Sequence, residues 1–551
     1  MVWLHQLYIF MTALFMALIM VPALRRWAIE KRQFDVPNGR KVHVRPKPRL
    51  GGVAIFIAFL FAMLVFDDIG RQVKGILAGS LIMFATGLVD DLYGLSAKKK
   101  FMGEIFGCLV TIAVGNLYIT SLGNIFGTGV IEMPTWLGIP FTVFAIVGVI
   151  NALNLLDGLD GLAGGFAAVA LGTFILLGYL DGNMVVVSLC AALVGGIFGF
   201  LRFNVYPARI FMGDAGSLTV GFLLGFLAIF LTQASGSTVQ PVIPFIILGL
   251  PIIDTVRVMG ERLMRRGNPF LPDRTHVHHR FLDLGFHHRF TVLIIHGLTL
   301  FWALVAMFCY EQPAHWLLFS YIVLSVLFYS ALRLSLQYKD KIPLLNRDSD
   351  RSLRESRLFC FLAHWNHKVD PVLAVLLLVF FTWTAFSPID VGEQVFRTSI
   401  VLLLVSSVSF FISRDLRNPF LMALLFMSGM LIAFQSEQLG LSGDGFMLSQ
   451  SIFSNLLFFV GGLLVVYKVL FRNGERLLYQ PSMDFLLFAM ALSLAIISPE
   501  LKLTYRLHEV ILKGMVLFIS FKILAVHSRL MLRWVFWGIH GLLLTFVLRG
   551  M

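Results

Sequence analysis

Apolar runs of membrane-spanning length recur along almost the whole chain. A helical segment of roughly 16–22 apolar residues can cross a hydrocarbon core of about 30 Å. Eleven such runs lie near residues 3–24, 51–66, 74–90, 101–120, 139–156, 162–180, 184–201, 216–233, 239–258, 291–310 and 314–334. Seven more follow near 371–388, 398–413, 419–435, 451–470, 483–498, 509–526 and 534–549. With 58% hydrophobic and 14% charged residues, the chain reads as an all-α polytopic membrane protein. The first run lacks a basic lead-in and a small-residue cleavage pattern, so it reads as an uncleaved helix.

Positive charge orders these runs. Lys and Arg crowd Arg25 to Arg49, Lys98 to Lys100, Arg202 to Arg209, Arg257 to Arg289, and the loop 335–370. The loops near 121–138, 181–183, 234–238 and 311–314 carry almost none. Counting helices along the chain puts every basic loop on one side, which predicts an outside N-terminus and cytoplasmic basic loops. The net charge of +13 follows from this asymmetry and does not indicate nucleic-acid binding. Cys108, Cys190, Cys309 and Cys360 have neither metal nor disulfide spacing and read as packing residues.

The polar clusters fall on the same side as the basic loops. In Asn151-Ala-Leu-Asn154-Leu-Leu-Asp157-Gly-Leu-Asp160-Gly, two amides and two carboxylates end an apolar run. Ionisable groups at a bilayer boundary are costly and usually functional. Asp90-Asp91 closes another run; paired carboxylates repel unless a cation sits between them. The Lys98–Lys100 run that follows reads as a positive-inside anchor or a substrate clamp. Phe211-Met-Gly-Asp214-Ala-Gly-Ser217 places one carboxylate at a helix start, either as an N-cap or as a metal ligand beside a phosphate. Asn204 could meet a base edge or cap a turn. Asp273-Arg274-Thr-His276-Val-His278-His279-Arg280 lacks zinc spacing and suits phosphate oxygens, whereas His287-His288 read as solvated. The loop from Asp35 through Lys41, His43 and Arg49 to Gly52 mixes prolines with basic residues, as a surface anchor or a nucleotide lid would. No GxxxxGK[ST], GxGxxG or Gly-x-Ser-x-Gly pattern appears in a supporting context.

Five of these segments, in order, resemble the polyprenyl-phosphate N-acetylhexosamine-1-phosphate transferase family over about residues 1–335. They are Asp35-x-Pro-Asn-x-Arg-Lys-x-His through Pro-Arg-Leu-Gly-Gly, Asp90-Asp91, the Asn151–Gly161 stretch, Phe-Met-Gly-Asp-Ala-Gly-Ser, and Asp-Arg-x-His-x-His-His. The last resembles the branch that uses UDP-N-acetylglucosamine. The resemblance implies ten or eleven helices around a cytoplasmic cleft, in the bacterial inner membrane. It also implies Mg2+ (with Mn2+ as a substitute), undecaprenyl phosphate as acceptor, a UDP-N-acetylhexosamine as donor and UMP as leaving group. Asp90, Asp91, Asp157 and Asp214 would be catalytic, with Asp214 and Asp91 at the metal and Asp90 receiving the lipid phosphate. Asn154 and Asp157 would face the ribose and diphosphate, Asn151 would be a further substrate contact, and Asp160, Asn204 and Phe211 would lie near the uracil. Arg274, His276, His278 and His279 would hold the sugar and phosphates, with Arg280 a further substrate contact. Asp35, Lys41, His43, Arg49 and Lys98 would complete the substrate contacts.

These expectations divide the chain into a transferase domain (1–335), a charged cytoplasmic linker (336–370) and a multi-helix membrane extension (371–551) without a catalytic constellation. A homodimer is compatible with such a chain. The rival reading is a transporter, since Gly-broken helix ends with polar groups also describe a substrate pathway. Transport needs polar groups near the midplane, whereas here they gather at one face.

Overall fold

A computed structural model describes residues 2–31, 47–66, 68–264, 275–338, 361, 364–386, 391–408, 414–439, 445–470 and 507–551. These residues form two compact units, one from those up to 338 and one from those from 361 onward. Among the described residues ten helices are long and apolar enough to cross a membrane, and four shorter apolar helices accompany them. The predicted run near 483–498 lies outside the described residues.

The first unit contains α1 (Val2–Glu30), α2 (Gly51–Phe66), α3 (Arg71–Tyr93), α4 (Ala97–Gly115), α5 (Thr135–Leu156), α6 (Leu162–Leu180), α7 (Met184–Asn204) and α8 (Gly213–Gln233). It continues with α9 (Val242–Ile247), α10 (Gly249–Met264), α11 (Val277–Asp283), α12 (His288–Phe308) and α13 (Ala314–Gln337). Between α4 and α5 a short hairpin pairs β1 (Ser121–Gly123) with β2 (Ile131–Glu132) in antiparallel register. The expected single run near 239–258 is instead split at Leu248 into α9 and α10. Pro244 and Pro251, which lack a backbone donor, flank that break.

Helices α6, α7 and α8 form the interior, buried along most of their lengths. Apolar side chains gain little by leaving lipid for protein, so close association needs small residues that let backbones approach. Gly195 and Gly199 of α7 supply that spacing against Phe10, Ala13, Leu14 and Ala17 of α1. Thr111 of α4 donates to the Gly75 carbonyl of α3 at 3.0 Å, where Gly75 and Gly115 bring the two backbones together.

Short connections bring the C-terminal ends of α3, α5 and α7 beside the N-terminal ends of α4, α6 and α8. At the opposite end the hairpin is tied down by Gln233 of α8, whose side-chain oxygen accepts from the Thr120 and Ser121 amides at 2.9 and 3.0 Å. The N-terminal end of α2 is seated by backbone bonds: the Gly51 and Gly52 amides donate to the Phe211 and Met212 carbonyls at 2.9 and 2.8 Å. Phe211 returns a bond to Pro48 at 2.7 Å. The motif ending in Gly-Gly and the motif beginning with Phe-Met-Gly are thus one structural element.

The second unit comprises α14 (Val369–Phe386), α15 (Glu393–Val408), α16 (Arg414–Leu439), α17 (Gly445–Leu470), α18 (Leu507–His527) and α19 (Arg529–Gly550). Lys468 is buried in it, and its ammonium lies 2.8 Å from Asp370 and 2.9 Å from the Asn366 carbonyl. A buried charge persists only when paired in this way.

A Cβ at Gly52 would overlap the backbone of Ala215 and Gly216. Gly52→Ala should therefore push α2 off the start of α8 and cost about 1–3 kcal/mol. A lowered thermal midpoint of the purified variant in detergent checks this; an unchanged midpoint would show that the two helices do not close as described.

Candidate active site

The site is built around the start of α8. Gly213 turns the chain there with φ +73°, and a Cβ at this position would meet the Arg49 carbonyl and the Asp91 carboxylate. Only glycine suits both conditions. The first amides of a helix have no partner within it. Here Asp91 at the end of α3 supplies one, accepting from the Asp214 amide through Oδ1 and the Ala215 amide through Oδ2, both at 2.9 Å. Asp214 is therefore not the cap that its sequence position suggests; the cap comes from another helix.

Asp214 instead faces Lys100. The Lys100 ammonium lies 3.1 Å from Asp214 Oδ2 and 3.1 Å from Asp90 Oδ2. Asp90 Oδ1 accepts from the Leu95 amide at 2.5 Å, which closes the turn between α3 and α4. Lys98, expected at the substrate, is exposed. It lies two positions before Lys100, about 200° around a helix, so the pair cannot share a face.

Behind this trio Glu104, one turn beyond Lys100, is 1% exposed and accepts from Asn151 Nδ2 at 2.8 Å. Of the run Lys98–Lys100, the residue at the site is Lys100 and not the expected Lys98, and Glu104 is a further site residue. The signal for Glu104 was a lone carboxylate inside an apolar run. Asn154 accepts from Ser217 of α8 at 2.8 Å, which fixes the end of α5 to the same point. Asp157 follows directly. Burial, together with the Asp214, Asp91 and Asp160 carboxylates, pushes its carboxyl up to about 7, while Arg49 opposes the shift.

The neighbouring turn holds Asp160, buried, with Oδ2 accepting from the Ala208 amide at 2.8 Å and Lys47 at 3.4 Å. Lys47 also lies over the Phe211 ring, 4.9 Å from its centroid. Asp160 and Phe211 are thus brought together as expected for one end of a ligand. Asn204 is a correction. It is 3% exposed, its oxygen accepts from the Gly161 amide at 2.9 Å, and its nitrogen donates to the Ile210 carbonyl at 2.9 Å. It joins two loops, in place of the base contact expected of it.

The histidine segment packs over this turn through α11. Gly158 lies against the His278 ring, so no Cβ could be placed there without meeting Nε2. Burial pushes the His278 imidazolium down to about 3, with His279 adding to the effect, so the ring is neutral at pH 7. His278 therefore does not supply positive charge to phosphate. Arg280 is a second correction: Nη2 binds both oxygens of Glu261 at 3.0 and 2.9 Å, and Nε donates to the Thr275 carbonyl at 3.1 Å. It holds α11 to α10. His276 makes a 2.9 Å contact through Nδ1 with Asp254 of α10. Asp35, Lys41, His43 and Arg274 lie outside the described residues.

Among the described residues no group of three or more His, Cys, Asp or Glu is placed to hold a metal ion. Mg2+ asks less of a protein: one or two carboxylates, with phosphates and waters completing the octahedron. Asp90 and Asp214 fit that requirement, since they already share one cation in Lys100. Asp91, expected beside Asp214 at the metal, fits less well because both its oxygens hold the α8 amides.

Clustered carboxylates, a bridging ammonium and a helix start, all at one end of a membrane bundle, define a membrane-embedded transferase site for phosphate-bearing substrates. The family model described as glycosyl transferase family 4 matches residues 73–232. A Bacillus subtilis (strain 168) protein named probable undecaprenyl-phosphate N-acetylglucosaminyl 1-phosphate transferase is 34% identical over 290 residues, 52% of this chain and 80% of that relative. Haemophilus influenzae and Yersinia pestis proteins named undecaprenyl-phosphate alpha-N-acetylglucosaminyl 1-phosphate transferase are 35% and 31% identical, covering 53% and 55% of this chain and 82% and 81% of their own lengths. The chain belongs to glycosyl transferase family 4, the family its motifs resemble.

Two outcomes follow from the geometry. Lys100→Gln should lower transfer by about two orders of magnitude, as removing a charge aimed at the reacting phosphates does, while Lys98→Gln should change it less than about 3-fold; equal losses would refute the assignment. Asp157 holds its proton more tightly in the folded state than in the unfolded one, so ionising it costs stability that is lost as pH rises from about 4 through 7. Asp157→Asn should thus melt roughly 2–4 °C above the parent at pH 8 and gain little at pH 4. A midpoint at pH 8 no higher than the parent's would overturn this.

Proposed function

We propose that this chain transfers N-acetylglucosamine-1-phosphate from UDP-N-acetylglucosamine to undecaprenyl phosphate at the cytoplasmic face of a bacterial inner membrane, starting a lipid-linked glycan. The observation that carries the reading is the Asp90–Lys100–Asp214 cluster at the Asp91-capped start of α8. The printed names of the relatives support the acceptor and the transferred group. The excess of Lys and Arg in the loops at the site's end supports a cytoplasmic orientation.

The reaction is a displacement at phosphorus. An oxygen of the lipid phosphate attacks the β-phosphorus of the UDP-sugar, a new P–O bond forms, and the bond to the bridging oxygen breaks so that UMP leaves with its electrons. A phosphate monoester is largely ionised at neutral pH, its second pKa being about 6, so no strong base is required. The protein's work is positioning and charge neutralisation. Asp90 would receive the lipid phosphate; its carboxylate is held by the Leu95 amide and Lys100, which supports direct attack over an aspartyl-phosphate route. Lys100 sits where its ammonium can pass from the two carboxylates to the phosphates as they arrive. The start of α8 adds oriented dipoles toward the same charge. Asp160, Lys47 and Phe211 hold the nucleotide end, and the histidine segment lies toward the sugar. Asp214 with Asp90 would hold Mg2+, or Mn2+ in its place, and the ion when bound would neutralise the diphosphate and make UMP a better leaving group. A transport role would need these groups near the bilayer midplane, and they sit at helix ends instead.

Membranes carrying the full-length chain should move radiolabel from UDP-N-acetylglucosamine into butanol-extractable lipid. The label should be lost with EDTA and restored by Mg2+. Asp214→Asn should abolish it while the protein still inserts. No labelled lipid from any UDP-N-acetylhexosamine would sink the transferase reading; label unaffected by EDTA would sink the metal.

A further inference from the structure

Glu104 stands inside the apolar run of α4, where a carboxyl group without a partner would be costly. Its partner is on another helix: Oε2 accepts from Asn151 Nδ2 of α5 at 2.8 Å. The same nitrogen donates to the Val147 carbonyl at 2.9 Å. That carbonyl can only accept, so the orientation of the Asn151 amide is fixed. A leucine would serve packing at this position, and the cost of a buried carboxyl argues for a task.

The task follows from what lies one turn away on each helix. Residues three or four apart share a helix face. Lys100 therefore precedes Glu104 on one face of α4, Asn154 follows Asn151 on one face of α5, and Ser217 follows Asp214 on one face of α8. The three faces are joined in a ring. Lys100 binds Asp214 at 3.1 Å, Ser217 donates to Asn154 at 2.8 Å, and Asn151 donates to Glu104 at 2.8 Å. Each helix contributes two side chains, and each pair of helices is tied by one of these bonds.

The ties are not alike. The Lys100–Asp214 bond is the one that opens when the ammonium passes to the arriving phosphates. The packing of α4 is mainly on α3 and only lightly on α5. Once the ion pair opens, the polar route left in the ring runs from α4 through α5 to α8, and Glu104 is its first link.

We propose that Glu104 is a positioning residue: its bond to Asn151 holds the turn of α4 that carries Lys100 in register with α8 while Lys100 is engaged by the phosphates. Glu104 lies behind Lys100 and acts through it. The inference rests on Lys100 acting at the phosphates, as proposed above.

The test measures lipid labelling by full-length protein in nanodiscs, with UDP-N-acetylglucosamine and undecaprenyl phosphate. Glu104→Leu removes the acceptor and should lower kcat about 10–100-fold with KM for the UDP-sugar changed less than about 3-fold, as a displacement of about 1 Å at a catalytic group does. Its thermal midpoint should fall by no more than about 4 °C, which the loss of one hydrogen bond allows. Glu104→Gln keeps an acceptor for Asn151 and should recover most of the loss. On a Lys100→Gln background, Glu104→Leu should lower kcat no further. Should Glu104→Leu fail to insert, Glu104→Ala carries the same expectations. An additive loss on the Lys100→Gln background, a Glu104→Gln variant as slow as Glu104→Leu, or a loss accounted for by unfolded protein would overturn the proposal. No transfer by the parent protein would instead refute the transferase reading, whereas transfer by the parent with Glu104→Leu unimpaired would overturn this inference alone.

Discussion

The pair of bonds from Asp91 to the first amides of α8 is the interaction on which the rest of the site depends. A helix start left uncapped inside a bundle would leave its N–H groups unpaired, and each such group is costly away from water. Asp91 satisfies two of them from a different helix, 123 residues away in sequence from Asp214. That long-range cap joins α3 to α8 and frees Asp214 from its usual helix-start role. It also keeps Asp90, the next residue back, on the side of Lys100. One carboxylate therefore sets the position of two others.

This dependence extends into the packing. Asp91 can reach α8 only because Gly213 takes a left-handed turn against the Arg49 carbonyl, and because Gly52 lets α2 lie on the backbone of Gly216. The glycines of Gly51-Gly52 and Met-Gly-Asp belong to separate motifs in sequence, yet they serve one contact. Asn154 and Asn204 close the arrangement from α5 and α7, binding Ser217 and the Gly161 amide respectively. Amide side chains suit this work because they donate and accept at once.

Much of this was legible in the sequence. The apolar runs predict most long helices of the first unit, the run near 239–258 that breaks into α9 and α10 excepted, and the polar knots mark which helix ends meet. The misreadings have physical causes. Lys98 and Lys100 differ by a rotation that only a defined helix start, capped at Ser96, resolves. Asn204 and Arg280 have the right chemistry for a ligand, but burial gives them to the Gly161 turn and to Glu261. Glu104 and Asp254 were visible as solitary carboxylates in apolar runs, where cost alone argues for a role. Their partners, Asn151 and His276, are 47 and 22 residues away, and spacing along the chain does not announce such pairs.

Charge balance ties the two halves of the site together. Asp90, Asp91, Asp157 and Asp214 gather four carboxylates about Lys100 and Arg49, and Asp157 at the crowded edge retains its proton up to about 7. A UDP-sugar and a lipid phosphate would add several more negative charges to this surplus. Two cationic candidates in the histidine segment do not offset it: His278 is neutral, and Arg280 is paired with Glu261. The deficit therefore falls at the carboxylate end, where Asp90 and Asp214 already share a cation. A divalent ion there would offset the repulsion at the point where the phosphates must approach.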